Sequence, residues 1–415
     1  MCPFVWTIVR FDHILLFRSS PLDKHRAGNS DRLMRILIAT VTAGAGHLQA
    51  AAALEEAWRA ARPGDVVEKV DLLDYVSLLQ RRVYVQGYVK LVEHAPELWG
   101  MVFKKTDNPA LLRKVARFRR GFAERTNHKF VKHLKAFKPD AVVCTHYLPV
   151  EIMAHLERKG FNPMTVCVVT DFEAHALWME QAVDLYCVAA PETKSSLVAR
   201  GARPENVVVT GIPIASKFSG LQNLPAARRN LGLRDDLPVL LVLGGGFGMG
   251  PVARILIALD KIEREIQTLV VAGRNEKLRR DLACRDYRHP TRVLGFATNM
   301  HELMVVADLI VSKPGGLTTS EALALGKPLF ILNPIPGQEA ANSDFLLEHG
   351  AAAKVNRIED LPFKLEELIG SKKLKDMARA ARKLGHPNAA REVCRETAVR
   401  LAGAGMDGAR EARVG

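Results

Sequence analysis

Short apolar, β-rich runs, each followed by a longer helical stretch, recur along most of this chain and leave few folds open. The first series is RILIAT (35–40), DAVVCTH (140–146), TVCVVTD (165–171), LYCVA (185–189) and VVVTG (207–211). Near-continuous apolar strands alternating with helices imply a parallel sheet covered on both faces, since parallel neighbours need crossover connections. The same grammar restarts with PVLLVLGGG (238–246), then TLVVAG (268–273), TRVLGF (291–296), DLIVSKPGG (308–316) and KPLFILN (327–333). A second Rossmann-like sheet therefore follows the first. The expected organisation is an α/β chain with an upstream extension at 1–33, one Rossmann-like domain at 34–215, a polar, turn-rich linker at 216–233, a second domain at 234–395 and a tail at 396–415. Ligands of open parallel sheets bind beyond the carboxyl ends of the strands, so the active site is expected in the cleft between the domains.

A length of 415 residues suits two domains, and no apolar run of about 18 residues is present to span a bilayer. The six cysteines are scattered without a CxxC pair, and several lie in apolar strands, which suits a reducing cytoplasm. Residues 1–33 interrupt an apolar start with Arg10, Asp12 and Arg18; they read as a disordered or upstream extension, with a weak membrane-associating arm as the other reading. The net charge of +14 is concentrated: 104–138 carries +10 and 372–415 carries +6. Basic residues interleaved with apolar ones, as in LLRKVARFRRGF, suit an acidic partner, and the other reading is a solvated helix face. No nucleic-acid motif or aromatic stacking run accompanies the charge, so anionic lipid is expected and nucleic acid is not.

Three segments carry candidate chemistry. ATVTAGAGHLQAAAALEEAW is a strand, a turn of small residues (Gly44, Ala45, Gly46) and a helix beginning near His47. A helix N-terminus presents free N–H groups and positive dipole, and a histidine held there stays neutral and can accept a proton. On position alone, His47 could equally be a polar residue at a helix start. LVLGGGFGMGP (241–251) is not a Walker A loop; its amides could hold a phosphate, or the glycines could serve a tight strand exit. In the segment 295–353, a strand, a Pro-Gly-Gly turn and a helix from about Thr318 make a second anion-binding N-terminus. Glu321, one turn into that helix, is placed to accept both hydroxyls of a ribose, or merely to favour the helix dipole. Gln338, Glu339 and Asn342 offer groups suited to sugar hydroxyls.

Taken together, TAGAGH, HAPELWGMVF (94–103), VVTDFEAHALW, GIPI (211–214), SKPGGLTTSEAL and NPIPGQEAAN resemble the monogalactosyldiacylglycerol synthase and processive diacylglycerol glycosyltransferase family. That family is related to the peptidoglycan lipid-intermediate N-acetylglucosaminyltransferase, and the resemblance spans roughly 34–370. It implies a GT-B fold, with the first domain binding acceptor and membrane, the second binding UDP-sugar, and the last helix crossing back onto the first. It implies His47 as the base, the backbone at Phe296 reading uracil and Glu321 holding the ribose. Gly245, Gly246, Gly316 and Thr318 would cradle the diphosphate, and Gln338, Glu339 and Asn342 would lie on the donor side. Gly46, Pro96, Trp99, Asp171 and His175 would lie on the acceptor and lipid side. Ala45 and Leu48 depart from the family's turn, and Leu48 makes the lip of the acceptor site more apolar.

The expectation is an inverting UDP-sugar-dependent hexosyltransferase acting on diacylglycerol, peripheral on the inner face of the plasma membrane. No metal or other cofactor is expected, since no DxD-like pair stands at a strand end. Both glucose and galactose present similar hydroxyls to Gln338 and Glu339, so the donor sugar stands as either. The alternatives are a transferase to an undecaprenyl-linked acceptor, a UDP-sugar epimerase and a non-catalytic membrane-binding protein.

Overall fold

The computed structural model of the chain describes residues 32–414 apart from 43, 83–86, 88–94, 109–113, 116–125, 221–222, 246–249 and 333, with side chains described to residue 403. The extension at 1–31, Gly246, His94 and much of the basic stretch 104–138 thus lie outside the described residues.

The apolar runs form two parallel six-stranded sheets. In the first, β1 (Arg35–Thr40), β2 (Val66–Asp71), β3 (Ala141–Cys144), β4 (Met164–Val168), β5 (Leu185–Val188) and β6 (Val207–Val209) lie in the order β2-β1-β3-β4-β5-β6. In the second, β7 (Val239–Leu243), β8 (Gln267–Val271), β9 (Thr291–Leu294), β10 (Leu309–Ser312), β11 (Leu329–Leu332) and β12 (Ala352–Val355) lie in the order β12-β11-β10-β7-β8-β9. Chain order reverses between β1 and β3 in one sheet and between β7 and β10 in the other. These are the switch points at which the crossovers leave by opposite faces and open a crevice. Neither β2 nor β12 is among the expected strands; each is an edge strand in which only two residues are buried.

Seven helices position the site: α1 (Ala45–Ala61), α2 (Pro96–Thr106), α3 (Tyr147–Glu157), α4 (Gly316–Ala324), α5 (Gln338–Glu348), α6 (Lys372–Leu384) and α7 (Ala389–Val414). α1 begins at Ala45 and α4 at Gly316, two residues earlier in each case than expected. The Ala- and Leu-rich α1 buries Ala50, Ala51, Ala53, Leu54, Ala57 and Trp58. Burying such a large apolar side chain as Leu54 contributes about 1.5–3 kcal/mol.

The last helix crosses back, as the resemblance implies. After α6, the chain turns at His386, which lies over Gly211; a Cβ on Gly211 would sit 2.2 Å from that of His386, and its φ of +81° also requires glycine. α7 then packs Ala390, Val393 and Cys394 against Leu54 and Trp58 of α1. Farther along α7, Arg400 donates to the carbonyl oxygens of Asp184 and Glu205.

The segment 216–233 is more than a connecting loop. It contains a helix, Leu224–Asn230, capped by the Asn223 side chain, and its Phe218, Ala227 and Leu231 are buried with the apolar residues of β7 and β8. Burial of these three residues outweighs the turn-rich composition from which a linker is expected. The same cluster spans both halves of the chain, joining Ala50, Phe172, Ile212 and Ile214 to Leu317 and Phe345.

Candidate active site in the cleft

The switch point of the first sheet holds the candidate base. Gly44 caps α1 at φ +155°, and His47 follows in the first turn. Its Nδ1 lies 2.8 Å from the carbonyl oxygen of Thr145 and 3.0 Å from Thr170 Oγ1. A carbonyl oxygen only accepts, so Nδ1 carries the proton and the lone pair is on Nε2, which has no partner among the described residues. Thr145 also donates its hydroxyl to the His47 carbonyl oxygen at 3.1 Å, gripping the histidine from backbone and ring. Burial pushes the His47 pKa down to about 4, against the opposing effect of the Thr145 hydrogen bond. The ring is therefore neutral at pH 7, with the Nε2 lone pair unprotonated.

Around His47 stand three rings from the ends of β3 and β4. His146 lies 4.8 Å away and perpendicular, Tyr147 is 4.3 Å from His146, and Trp178 is 6.4 Å from both histidines. None of Thr145, His146, Tyr147, Thr170 and Trp178 is among the sequence candidates. The signal that could find the first four is their position just past strands β3 and β4, which becomes informative only once β3 is known to lie beside β1.

Pro96 opens α2, and Trp99 of the same helix lies 6.1 Å from the Phe103 ring. α2 is bolted to the first half at its C-terminal end. His175 donates Nε2–H to the Phe103 carbonyl oxygen at 2.9 Å, while Asp107 accepts from the Ala176 amide and from the Arg200 guanidinium. Leu98, Met101 and Val102 on the same helix remain exposed. Gly100 and Gly337 let α2 approach the loop before α5: a Cβ on Gly100 would lie 2.7 Å from Pro336, and one on Gly337 2.9 Å from the Phe103 ring. The helix α2 thus bridges the two halves as well as offering an apolar face.

On the other side of the cleft, Gly245 and Gly316 follow β7 and β10 at the second switch point. Gly245 has φ +77°. Gly46 of α1 lies close to Leu317 of α4, so the two helix N-termini face each other. Thr318 is half-buried in the first turn of α4. Glu321, one turn in, is buried without a hydrogen-bond partner among the described residues, and desolvation pushes its pKa up to about 8, with Lys217 working against the shift. Lys217 donates to the Thr298 carbonyl oxygen at 2.8 Å. Beside it Phe296 is exposed, with the Arg274 guanidinium 5.0 Å from its ring centre.

The polar cluster of α5 is divided in two. Gln338 and Glu339 begin the helix; Glu339 accepts from the Ile335 amide at 2.8 Å, and burial raises its pKa. Asn342, expected beside the donor sugar, is fully buried with its amide already engaged. It accepts from the Phe172 amide at 2.9 Å and donates to Asp171 Oδ1 at 3.1 Å and to the Pro314 carbonyl oxygen at 3.0 Å. Asn342 therefore fastens one half to the other, and Asp171 meets it there instead of standing apart on an acceptor surface. Phe172 stacks on Phe345 beside this fastening, with centroids 4.5 Å apart. Burial raises the Asp171 pKa to about 6.

Among the described residues, no group of three His, Cys, Asp or Glu side chains is placed to hold a metal ion, and no helix is long and apolar enough to cross a membrane.

Two family descriptions match the chain: Monogalactosyldiacylglycerol (MGDG) synthase over residues 47–214 and Glycosyltransferase family 28 C-terminal domain over 239–393. A processive diacylglycerol beta-glucosyltransferase of Bacillus pumilus is 30% identical over 331 residues, covering 79% of this chain and 84% of that protein. Among solved structures, MurG of Acinetobacter baumannii has a TM-score of 0.56 at 18% identity, covering 86% of this chain and 97% of MurG. UDP-GlcNAc 2-epimerase from Neisseria meningitidis has the same TM-score at 14% identity, covering 88% and 100%. At such identities the structural likeness establishes the GT-B fold alone, since transferases and epimerases share it. Sequence goes further: the chain belongs to the monogalactosyldiacylglycerol synthase and processive diacylglycerol beta-glucosyltransferase family of glycosyltransferases.

Proposed function

We propose that this glycosyltransferase moves glucose or galactose from UDP to the free hydroxyl of diacylglycerol, with inversion, at a membrane surface. The observation that carries the reading is the pairing across one cleft of a neutral, Nδ1-protonated His47 with a helix N-terminus that leads to the buried Glu321, which has no hydrogen-bond partner among the described residues. A buried carboxylate without donors is costly, and two vicinal ribose hydroxyls supply two donors. The backbone at Phe296 would meet the uracil, and Gly245, Gly246, Gly316 and Thr318 the diphosphate. Gln338 and Glu339 would meet the sugar.

In the reaction, Nε2 of His47 takes the proton of the lipid hydroxyl as that oxygen bonds to the anomeric carbon, while the bond from that carbon to the UDP oxygen breaks. Charge on the departing diphosphate is met by backbone amides and the dipole of α4, without a metal. Activity is expected to persist in chelator. Access to the lipid comes from α2, whose exposed Leu98, Met101 and Val102 adjoin Lys104 and Lys105. Basic side chains at 104–138 and 372–415 would draw this face to anionic headgroups, each well-placed charge contributing about 1 kcal/mol. On this reading the enzyme works at the cytoplasmic leaflet.

Incubation with UDP-glucose and UDP-galactose in turn over diacylglycerol, read by lipid chromatography, tests the reading and identifies the sugar. A glycolipid product is expected. Conversion of the donor sugar with no acceptor present would point to an epimerase instead, and glycosylation of an undecaprenyl-linked acceptor in preference to diacylglycerol would replace the acceptor.

A further inference from the structure

Two histidines of the first half cap helical segments in the same way, His146 the helix α3 and His175 the single turn Ala176–Trp178. His175 accepts the Leu177 amide at Nδ1, at 3.1 Å, and so carries its proton on Nε2, which it donates to the Phe103 carbonyl oxygen. His146 accepts the Leu148 amide at Nδ1, also at 3.1 Å, which places its proton on Nε2 by the same logic. Burial and the neighbouring His47 hold the His146 pKa well below the ordinary histidine range, so that proton is the one proton the ring carries. Unlike His175, His146 has no acceptor for Nε2–H among the described residues, although the residue is only 3% exposed. Nε2 is not among the enclosed unpartnered atoms of the described residues, so its N–H is open to an acceptor brought by a ligand.

Its surroundings show what it serves. His146 follows β3, the neighbour of β1 at the switch point, and its ring stands at 80° to that of His47 with Tyr147 and Trp178 alongside. The two histidines are chemically complementary: His47 offers a lone pair at Nε2, and His146 offers an N–H. A hydroxyl with a second oxygen on the neighbouring carbon fits both, donating to the first and accepting from the second. A glycerol carbon bearing an ester beside a free hydroxyl has that arrangement.

We propose that His146 is an acceptor-binding residue, whose Nε2–H holds an oxygen of the lipid's glycerol next to the hydroxyl that His47 deprotonates. The assignment rests on the reading of diacylglycerol as acceptor. Tyr147 and Trp178 cover the apolar side of the same glycerol and exclude water from it.

The test is His146→Asn, which keeps a short polar cap for the Leu148 amide but lacks the distal N–H, together with His146→Phe, which keeps a ring without either nitrogen. In both, kcat/KM for diacylglycerol is expected to fall at least tenfold, mainly through KM. UDP binding, the slow hydrolysis of the donor by water and the acid limb of the pH profile should stay within threefold of wild type. A kcat/KM within threefold in both variants, or a parallel loss of donor hydrolysis, overturns the assignment, the latter because it would mean action through His47. A wild-type chain that glycosylates no diacylglycerol overturns the acceptor reading itself. Glycolipid formed equally by wild type and variants overturns His146 alone.

Discussion

The carbonyl oxygen of Thr170 lies so close to Gly316 that a methyl group on Gly316 would sit 2.0 Å from it. Thr170 also places its hydroxyl 3.0 Å from Nδ1 of His47, so one residue touches both the proposed base and the N-terminus of α4. The same residue thereby fixes the position of His47 relative to α4.

Gly316→Ala should separate closure from donor binding. The obstacle is a backbone carbonyl, which cannot swing aside as a side chain would, so the halves must part by more than an ångström. Misplacement on that scale costs on the order of 100-fold in rate. Glycolipid synthesis should fall accordingly, while UDP-glucose binding by calorimetry stays within about tenfold. Near wild-type turnover would show that the closed geometry is not the reactive one.

His47→Ala removes a general base worth about 10²–10⁴ in rate. Transfer should fall by that factor with UDP binding largely intact. With its folded pKa near 4 and an unfolded value of 6.5, His47 stays unprotonated and active as pH falls from 7 to 5. The acid limb of kcat/KM should therefore lie near pH 4; a limb at 6.5 would mean that the catalytic histidine is well solvated. The sign for stability follows from the same values. The depressed folded pKa contributes stability above pH 6.5 that is lost as pH falls towards 4, and His47→Ala should flatten that part of the stability profile.

Much of this architecture is legible in the residues themselves, and the omissions have physical causes. Central strands such as AVVC and LYCV are buried on both faces and read as unbroken apolar runs. The edge strand VVEKVD carries Glu68 and Lys69 towards solvent, and the short AAKV carries Lys354, so neither stands out. His47 and Glu321 are legible because each lies in a helix that begins just after a strand. The part taken by Asn342 is not, because it depends on Asp171 and Phe172 arriving from another sheet 170 residues away. His146 escapes notice for a related reason: its neighbour across the sheet is set by strand order, on which a local pattern is silent.

Glu321 predicts a proton linked to donor binding. With its pKa raised to about 8, the free enzyme holds this proton at pH 7, whereas ribose hydroxyls donated to it favour the carboxylate. UDP-glucose should therefore bind with release of about one proton at pH 7, measured by calorimetry in buffers of different ionisation enthalpy, and more tightly as pH rises through 8. Glu321→Gln should abolish the release and weaken binding. The raised pKa also means that the stability this group contributes below pH 4.5 is lost as pH rises through 8, so the Gln variant should melt roughly a few degrees higher at pH 9. Unchanged proton release in the variant would move the linkage to another group.

The exposed face of α2 can be tested apart from the chemistry. Leu98, Met101 and Val102 are 48%, 57% and 40% exposed and recur at helical spacing, which puts them on one side of the helix beside Lys104 and Lys105. Replacing Leu98 and Met101 together by Asp removes buried apolar area at a bilayer and sets negative charge against anionic headgroups. Sedimentation with vesicles containing anionic lipid should then fall at least tenfold, and transfer to vesicle-borne diacylglycerol with it. Transfer to a short-chain, micelle-dispersed diacylglycerol should change by less than threefold, because neither exposed side chain takes part in the Phe103–His175 contact that anchors α2. Wild-type binding should weaken steeply with salt as the headgroup charges are screened. If the double variant sediments as the wild type does, the lipid-facing surface lies elsewhere, and the basic residues of 372–415 become the segment to neutralise next.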